Sequence, residues 1–327
     1  MSNFAAGILY VLTSIAVLSR SFSRNTVLRQ ELLARRQNVV FNESGKTLTG
    51  QELIDFLAPH DAAIVALEKI DENVLTALPK LRIISKYGVG LDNVDLVAAK
   101  KFGIKVGWKG GVNRRAVAEL SISLMIAGLR GVAQSNEDIK RGVWRQYTGR
   151  QLADATVGIV GFGHVGQDLA GLLCAFGARV LACDIRDLSA EAAALGVRLC
   201  AFDELLDQSD VVSFHVPLTP ATANMLDAAR IARMRRGAVV VNTARGGVID
   251  EPALAAALKD GWLSAACLDV FAVEPPLGND LLSVPSFLAT SHIGGSAFEA
   301  QLAMGRAAID GLWTAGDPAD FIPVWAK

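Results

Sequence analysis

Between Thr156 and Gly166 a Val- and Ile-rich stretch runs straight into Gly161, Gly163 and Gly166, spaced G-x-G-x-x-G, and an amphipathic run follows. Few folds satisfy that order. A strand must end in a turn too tight for a side chain, a helix must begin at once, and the two must pack closely. The open N–H groups of such a helix start, from Gly163 through His164, Val165 and Gly166, suit a diphosphate. A glycine triplet is a weak signal in a chain with 30 glycines, so its surroundings decide. The next candidate strand ends in Asp184, 184 − 166 = 18 residues past the last glycine. A carboxylate there accepts from an adenosine ribose diol and repels a 2′-phosphate. The pattern predicts a dinucleotide site preferring NAD to NADP, with Arg186 able to soften the preference.

The rest of the chain alternates in the same way. Strands are expected near Ile15–Leu18, Asn38–Phe41, Ala62–Val65, Arg82–Lys86 and Ile104–Val106, with helices such as Thr26–Arg36, Gly50–Leu57 and Asn73–Leu78 between them. A long apolar helix, Asn113–Arg130, follows, with Asn113 as expected N-cap. The second series has strands near Val157–Val160, Ala178–Cys183, Val211–Phe214, Ala238–Val241, Ala265–Val270 and Phe287–Ala289. Helices Val165–Phe176 and Pro252–Lys259 fit between them, and Phe298–Trp313 closes the chain. This βαβα order implies two α/β domains, each a doubly wound parallel sheet, and 327 residues is a suitable length for two.

A net charge of −1 gives no field for nucleic acid or an anionic membrane, so neither is an expected partner. No metal is expected either. Cys174, Cys183, Cys200 and Cys267 form no C-x-x-C pair and read as buried reduced thiols, in keeping with a cytoplasmic protein. Phe4–Leu18 is apolar, but no Lys or Arg precedes it and no A-x-A site follows, so a first strand after a variable extension is expected rather than a signal or anchor.

A redox site acting on a keto acid needs a cation, a proton donor and a group that keeps this donor charged. His60 follows Pro59 in an expected surface loop, His164 sits in the glycine turn, and His215 ends a strand as a rival candidate. His292 follows the last strand and precedes Ile293, Gly294 and Gly295, which leave open backbone beside the ring, so it is the preferred acid/base. Arg245 lies just past a strand end beside two glycines, where a guanidinium can take a carboxylate bidentately. Glu274 precedes Pro275 and Pro276, expected to hold the chain extended. A carboxylate beside His292 would favour the imidazolium and raise its pKa.

Residues 242–251 (NTARGGVIDE), 268–276 (LDVFAVEPP) and 291–296 (SHIGGS) resemble the signature blocks of the D-isomer-specific 2-hydroxyacid dehydrogenases. Residues 86–95 (KYGVGLDNVD) resemble that family's substrate loop, most closely in its D-3-phosphoglycerate dehydrogenases. The resemblance implies that Arg245 binds substrate, His292 is the acid/base and Glu274 its partner. It also implies that the N–H groups of Gly88, Val89 and Gly90 hold the substrate carboxylate, with Lys86 near a phosphate if one is present. Asp184 would take the ribose and Asp269 the nicotinamide carboxamide, while Val216, Pro217, Thr243, Ala244 and Gly294 would line the cofactor. The family fold implies a Rossmann NAD domain (113–292) inserted into a flavodoxin-like substrate domain (1–112 plus 293–327). The active site would lie in the cleft between them, and the assembly would be a homodimer with the Asn113–Arg130 region near its interface.

The expected activity is hydride transfer between NAD(H) and a D-2-hydroxy acid/2-keto acid pair. D-3-phosphoglycerate is one candidate; glyoxylate or hydroxypyruvate reduction, or an NADH-sensing corepressor-like role, are alternatives. Formate dehydrogenases pair His with Gln, and Glu274 argues against them. The end at Lys327 carries the expectation of no appended regulatory domain. Three positions depart from the family pattern: Ser291 for Pro, Ala297 for Thr, and Gly107-Trp108-Lys109 for Asn-Thr-Pro.

Overall fold

The structure is a computed structural model and describes residues 12–322. The part of the apolar amino-terminal stretch before Leu12 lies outside the described residues. The described chain divides into two compact units, 12–113 with 298–322, and 114–297.

In the first unit, β1 (Ile15–Val17), β2 (Val39–Phe41), β3 (Ala62–Val65), β4 (Ile83–Lys86) and β5 (Lys105–Gly107) form one parallel sheet in the order β2-β1-β3-β4-β5. Period-two alternation explains how both faces are covered. Ile15, Val17, Ala62 and Ile64 face a core with Phe22, Leu28, Leu32 and the closing helix Phe298–Thr314. Ala16, Leu18, Ala63 and Val65 face the opposite core with Leu53, Leu57 and Val74. This is the flavodoxin-like strand order.

In the second unit, β6 (Thr156–Val160), β7 (Arg179–Cys183), β8 (Arg198–Leu199), β9 (Val211–Phe214), β10 (Val239–Asn242), β11 (Ala265–Leu268) and β12 (Phe287–Ala289) form a seven-stranded sheet. Its order, β12-β11-β10-β9-β6-β7-β8, is that of a Rossmann sheet, with the switch of winding direction at β6. Val157 and Ile159 pack on the face that the long helix Arg114–Arg130 shares, and Val160, Val212 and Val240 on the other. Asp250 caps the helix Glu251–Lys259 by accepting from the Ala253 N–H, and Pro252 occupies the first turn.

Several expectations need correction. Asn113 precedes its helix, but its Oδ1 is buried with no hydrogen-bond partner among the described residues, so the expected cap is not made. His60 is buried, not in a surface loop, with Nδ1 2.5 Å from Ser14 Oγ. The Glu274–Pro275 peptide is cis rather than part of an extended run. No single helix among the described residues is long and apolar enough to cross a membrane.

Candidate active site

The tips of β10, β11 and β12 carry Arg245, Glu274 and His292, and backbone bonds stitch these tips together. The Asn242 carbonyl accepts from the Asp269 N–H at 2.9 Å, and the Asp269 carbonyl accepts from the His292 N–H at 2.9 Å. Asn242 also folds its own loop: Nδ2 donates to the Arg245 carbonyl (2.8 Å) and Oδ1 accepts from the Ala244 N–H (3.0 Å). Arg245 is half-buried and its Nη1 donates to the Ala244 carbonyl. Beside it, Gly246 lies so close to Phe271 that a Cβ would fall 1.8 Å from the Phe271 carbonyl oxygen. Only glycine permits that approach, which sets the Arg245 loop on the turn where Glu274 sits.

Glu274 uses its two carboxylate oxygens separately. Oε1 accepts from the Phe271 N–H at 3.1 Å, closing the turn, while Oε2 meets His292 Nδ1 at 2.9 Å. Both side chains are exposed. His292 has φ 56°, a left-handed backbone rare for a residue with a side chain, three residues past the end of β12. Asp269 accounts for this placement. Its carboxyl is fully buried and accepts from Thr290 Oγ1 (2.5 Å), Ile293 N–H (2.8 Å) and Gly294 N–H (2.8 Å). These bonds fasten the loop on both sides of His292.

The glycine turn has the form its spacing predicts. A Cβ on Gly166 would lie 2.2 Å from the Gly161 carbonyl oxygen, so the helix His164–Phe176 starts hard against the turn. The N–H groups of His164, Val165 and Gly166 take no acceptor among the described residues, which leaves a helix-start cradle for an anion. A diphosphate therefore fits these residues. Asp184 ends β7 and accepts from the Phe162 N–H (2.9 Å) and, through both oxygens, from the Arg186 guanidinium at 3.0 Å. Burial pushes the Asp184 pKa up, but the bonds from Arg186 and Phe162 outweigh it and hold the carboxyl below its ordinary range.

Other candidate residues are placed differently. Thr243 is buried, its Oγ1 2.8 Å from Ser121 Oγ in the long helix, so the hydroxyl serves packing. Ala244 and Val216 are half-buried and Pro217 is exposed. His215 bonds Ser213 Oγ through Nε2 (2.9 Å), and burial pushes its pKa down to about 4. That makes it a poor proton donor near neutral pH. In the first unit Lys86 is buried, and its ammonium donates to the Ala66 carbonyl and to Asn93 Oδ1. Gly88, Val89 and Gly90 follow β4 in a half-buried loop, and their N–H groups take no acceptor among the described residues.

Sequence reasoning missed Asn242, Thr290, Asn93 and Glu251, whose carboxylate holds the Ala272 N–H and Asn279 Nδ2. Asn242 and Asn93 stood inside the signature blocks, but a side chain that bonds backbone carries no mark distinguishing it from a solvated one. Among the described residues, no group of three or more His, Cys, Asp or Glu could hold a metal ion.

Known proteins resemble this chain in sequence and in fold. The family model of the D-isomer specific 2-hydroxyacid dehydrogenase NAD binding domain matches residues 122–294. D-3-phosphoglycerate dehydrogenase of Mycobacterium leprae is 41% identical over 244 residues, covering 74% of this chain and 46% of that protein. Hydroxypyruvate reductase of Thermotoga maritima is 39% identical over 264 residues, covering 79% and 85%. The chain thus spans about half the length of the phosphoglycerate dehydrogenases it matches. The D-lactate dehydrogenase of Aquifex aeolicus, solved with NAD and lactic acid, superposes with a TM-score of 0.80 at 26% identity over 91% of this chain and 94% of that one. With a matched NAD-binding unit, relatives of this identity and the same two sheets, the chain belongs to the D-isomer-specific 2-hydroxyacid dehydrogenase family.

Proposed function

We propose that this protein is an NAD-dependent reductase of small 2-keto acids that yields the D-2-hydroxy acid. The observation that carries this reading is the His292–Glu274 contact of 2.9 Å on loops stitched to the one bearing Arg245. The second unit serves as the NAD domain and the first as the substrate domain. The cofactor lies on the His164–Gly166 helix start, with Asp184 toward the ribose, Val216, Pro217, Ala244 and Gly294 along its length, and Thr243 behind them. When bound, NADH supplies the hydride for the keto carbon. Arg245 orients the keto acid through its carboxylate and carbonyl oxygen, and the N–H groups of Gly88, Val89 and Gly90 take the carboxylate. Glu274 engages Nδ1 of His292, so Nε2 is the nitrogen that delivers a proton to the alkoxide oxygen. Asp269 acts as the anchor of the His292 loop, a role supported by its buried carboxyl and the three donors it accepts, and its Oδ2, with one donor, keeps capacity for the nicotinamide carboxamide.

Lys86 is held by Ala66 and Asn93, which does not favour a dedicated phosphate site. A substrate of the hydroxypyruvate or glyoxylate class fits better than a phosphorylated one. The 41% identity to a phosphoglycerate dehydrogenase keeps 3-phosphohydroxypyruvate as the second reading. We also infer a cytoplasmic homodimer: the helix Val132–Lys140 buries no residue, and Val132, Ile139 and Trp144 stand exposed as a face for a second copy. NADH oxidation with glyoxylate, hydroxypyruvate and 3-phosphohydroxypyruvate, followed by chiral analysis of the products of the last two, tests the assignment. Turnover of glyoxylate and hydroxypyruvate, with D-glycerate from the latter, is expected; L-glycerate, or no turnover with any of the three, contradicts it.

A further inference from the structure

The Gly107-Trp108-Lys109 departure has a structural explanation in the first unit. Gly107 ends β5 against the closing helix, where a Cβ would lie 2.2 Å from the Gly311 carbonyl oxygen. Beyond it the half-buried Trp108 donates its Nε1–H to the Val89 carbonyl at 3.0 Å. The indole stands edge-on to Phe321, with ring centroids 5.7 Å apart and planes at 72°. Phe321 closes the short 3-10 turn Pro318–Phe321, which follows the antiparallel bridge between Val106 and Gly316. The Trp108 ring is thus braced from a distant part of the chain while its N–H reaches the glycine loop.

A trans peptide is planar, so its C=O and N–H point in opposite directions. Holding the Val89 carbonyl on Trp108 therefore turns the Gly90 N–H away from the indole, and that N–H takes no acceptor among the described residues. Without such a hold, a segment with glycine at two of three positions would sample many conformations, and ordering it on binding would cost affinity. The far end of the loop is held separately. Asn93 Nδ2 donates to the carbonyls of Ala66 (3.0 Å) and Glu68 (2.6 Å), while Asn93 Oδ1 accepts from Lys86.

We propose that Trp108, braced by Phe321, is a positioning residue for carboxylate binding: its indole N–H holds the Val89 carbonyl and thereby aims the Gly90 N–H at the substrate carboxylate. This rests on the keto-acid reading above and deepens it, and it assigns the role to a residue where the family usually carries a different triplet.

The test compares wild type, Trp108→Phe and Phe321→Leu. Two readouts are taken on the intact protein: NADH-dependent reduction of hydroxypyruvate, and amide hydrogen exchange across residues 87–94 with and without oxamate. Trp108→Phe keeps an aromatic ring beside Phe321 and removes the donor. Loss of one hydrogen bond of about 1 kcal/mol corresponds to roughly a five- to tenfold rise in KM for the keto acid. The kcat should stay within about twofold of wild type, and the KM for NADH should not move. Exchange across 87–94 should quicken, and protection by oxamate should weaken. Phe321→Leu, which keeps the donor, should show the same pattern to a smaller extent, and it carries the test if Trp108→Phe does not fold. An unchanged KM with unchanged exchange, or a fall in kcat alone, overturns the proposal. If wild type reduces none of the keto acids, the catalytic reading fails by itself. Faster exchange and lost oxamate protection in Trp108→Phe would then still support the clamp, and equal exchange would overturn it.

Discussion

The loop after β4 and the loops after β10, β11 and β12, to which the proposed function gives carboxylate binding and proton transfer, are built in different ways. The second group is held by backbone and carboxylate: Asp269 gathers Thr290, Ile293 and Gly294, and Glu274 joins the Phe271 N–H to His292. The glycine loop is held by side chains at its own two ends, Lys86 and Asn93, and by Trp108 reaching in from beyond β5. A group that must exchange a proton needs its ring fixed to within a few tenths of an ångström: the buried Asp269 carboxylate fixes the backbone beside His292, and Glu274 engages the ring. A loop that presents N–H donors needs only its peptide planes directed, and donors and acceptors at its margins suffice. The difference teaches that the first set should govern the rate and the second the affinity.

Several experiments can break that contrast. The largest effect is expected for His292→Ala, which removes the proposed proton donor and should lower kcat by about 10²–10⁴-fold. NADH binding, followed by fluorescence titration, should hardly change; near-normal turnover would remove His292 from the mechanism. Asp269→Ala comes next. It leaves Thr290, Ile293 and Gly294 without their shared acceptor, and should cost about 3 kcal/mol in urea unfolding together with a fall in kcat. Asp269→Asn should recover part of both, and a stable, fully active Asp269→Ala protein would dismiss the anchor.

A smaller effect concerns pH. Burial lowers the His215 pKa from 6.5 to about 4, so between those values the unfolded chain takes up a proton that the folded chain refuses. Stability should therefore fall as the solution is acidified through that window, by at most about 3 kcal/mol. Asp184 and Asp210, whose carboxyls are held below their ordinary range, add losses at still lower pH, as it falls through their folded values. His215→Gln should flatten the upper part of the acid limb in pH-dependent melting. An unchanged limb would mean that the ring is not buried as described.

The same contrast explains what could be read in the sequence. Strands such as Val211–Phe214 and Phe287–Ala289 and the helix Gly50–Leu57 were legible because both sheet faces and the helix stripe leave a regular apolar period. The edge strand Arg198–Leu199 has two residues, too few for any period, and the helix Val132–Lys140 has no buried face to write one. The placing of Arg245, Glu274 and His292 past strand ends, with Glu274 beside His292, was legible through the signature blocks that hold them. The engagement of Lys86 was not, because Ala66 lies past β3, where only the folded register β3–β4 brings it near, and Asn93 meets Lys86 only once the loop between them folds back. Trp108 stood out as a departure from the family triplet, but its acceptor, a backbone carbonyl in another loop, left no trace in the letters.

Steady-state kinetics of wild type, His292→Ala and Asn93→Ala, side by side with hydroxypyruvate and NADH, put the division of labour to its most direct test. Collapse of kcat in His292→Ala, with a severalfold higher keto-acid KM and near-normal kcat in Asn93→Ala, is the predicted outcome. If the two variants change the same parameter to the same degree, rate and affinity are not separated between these loops and the account is wrong.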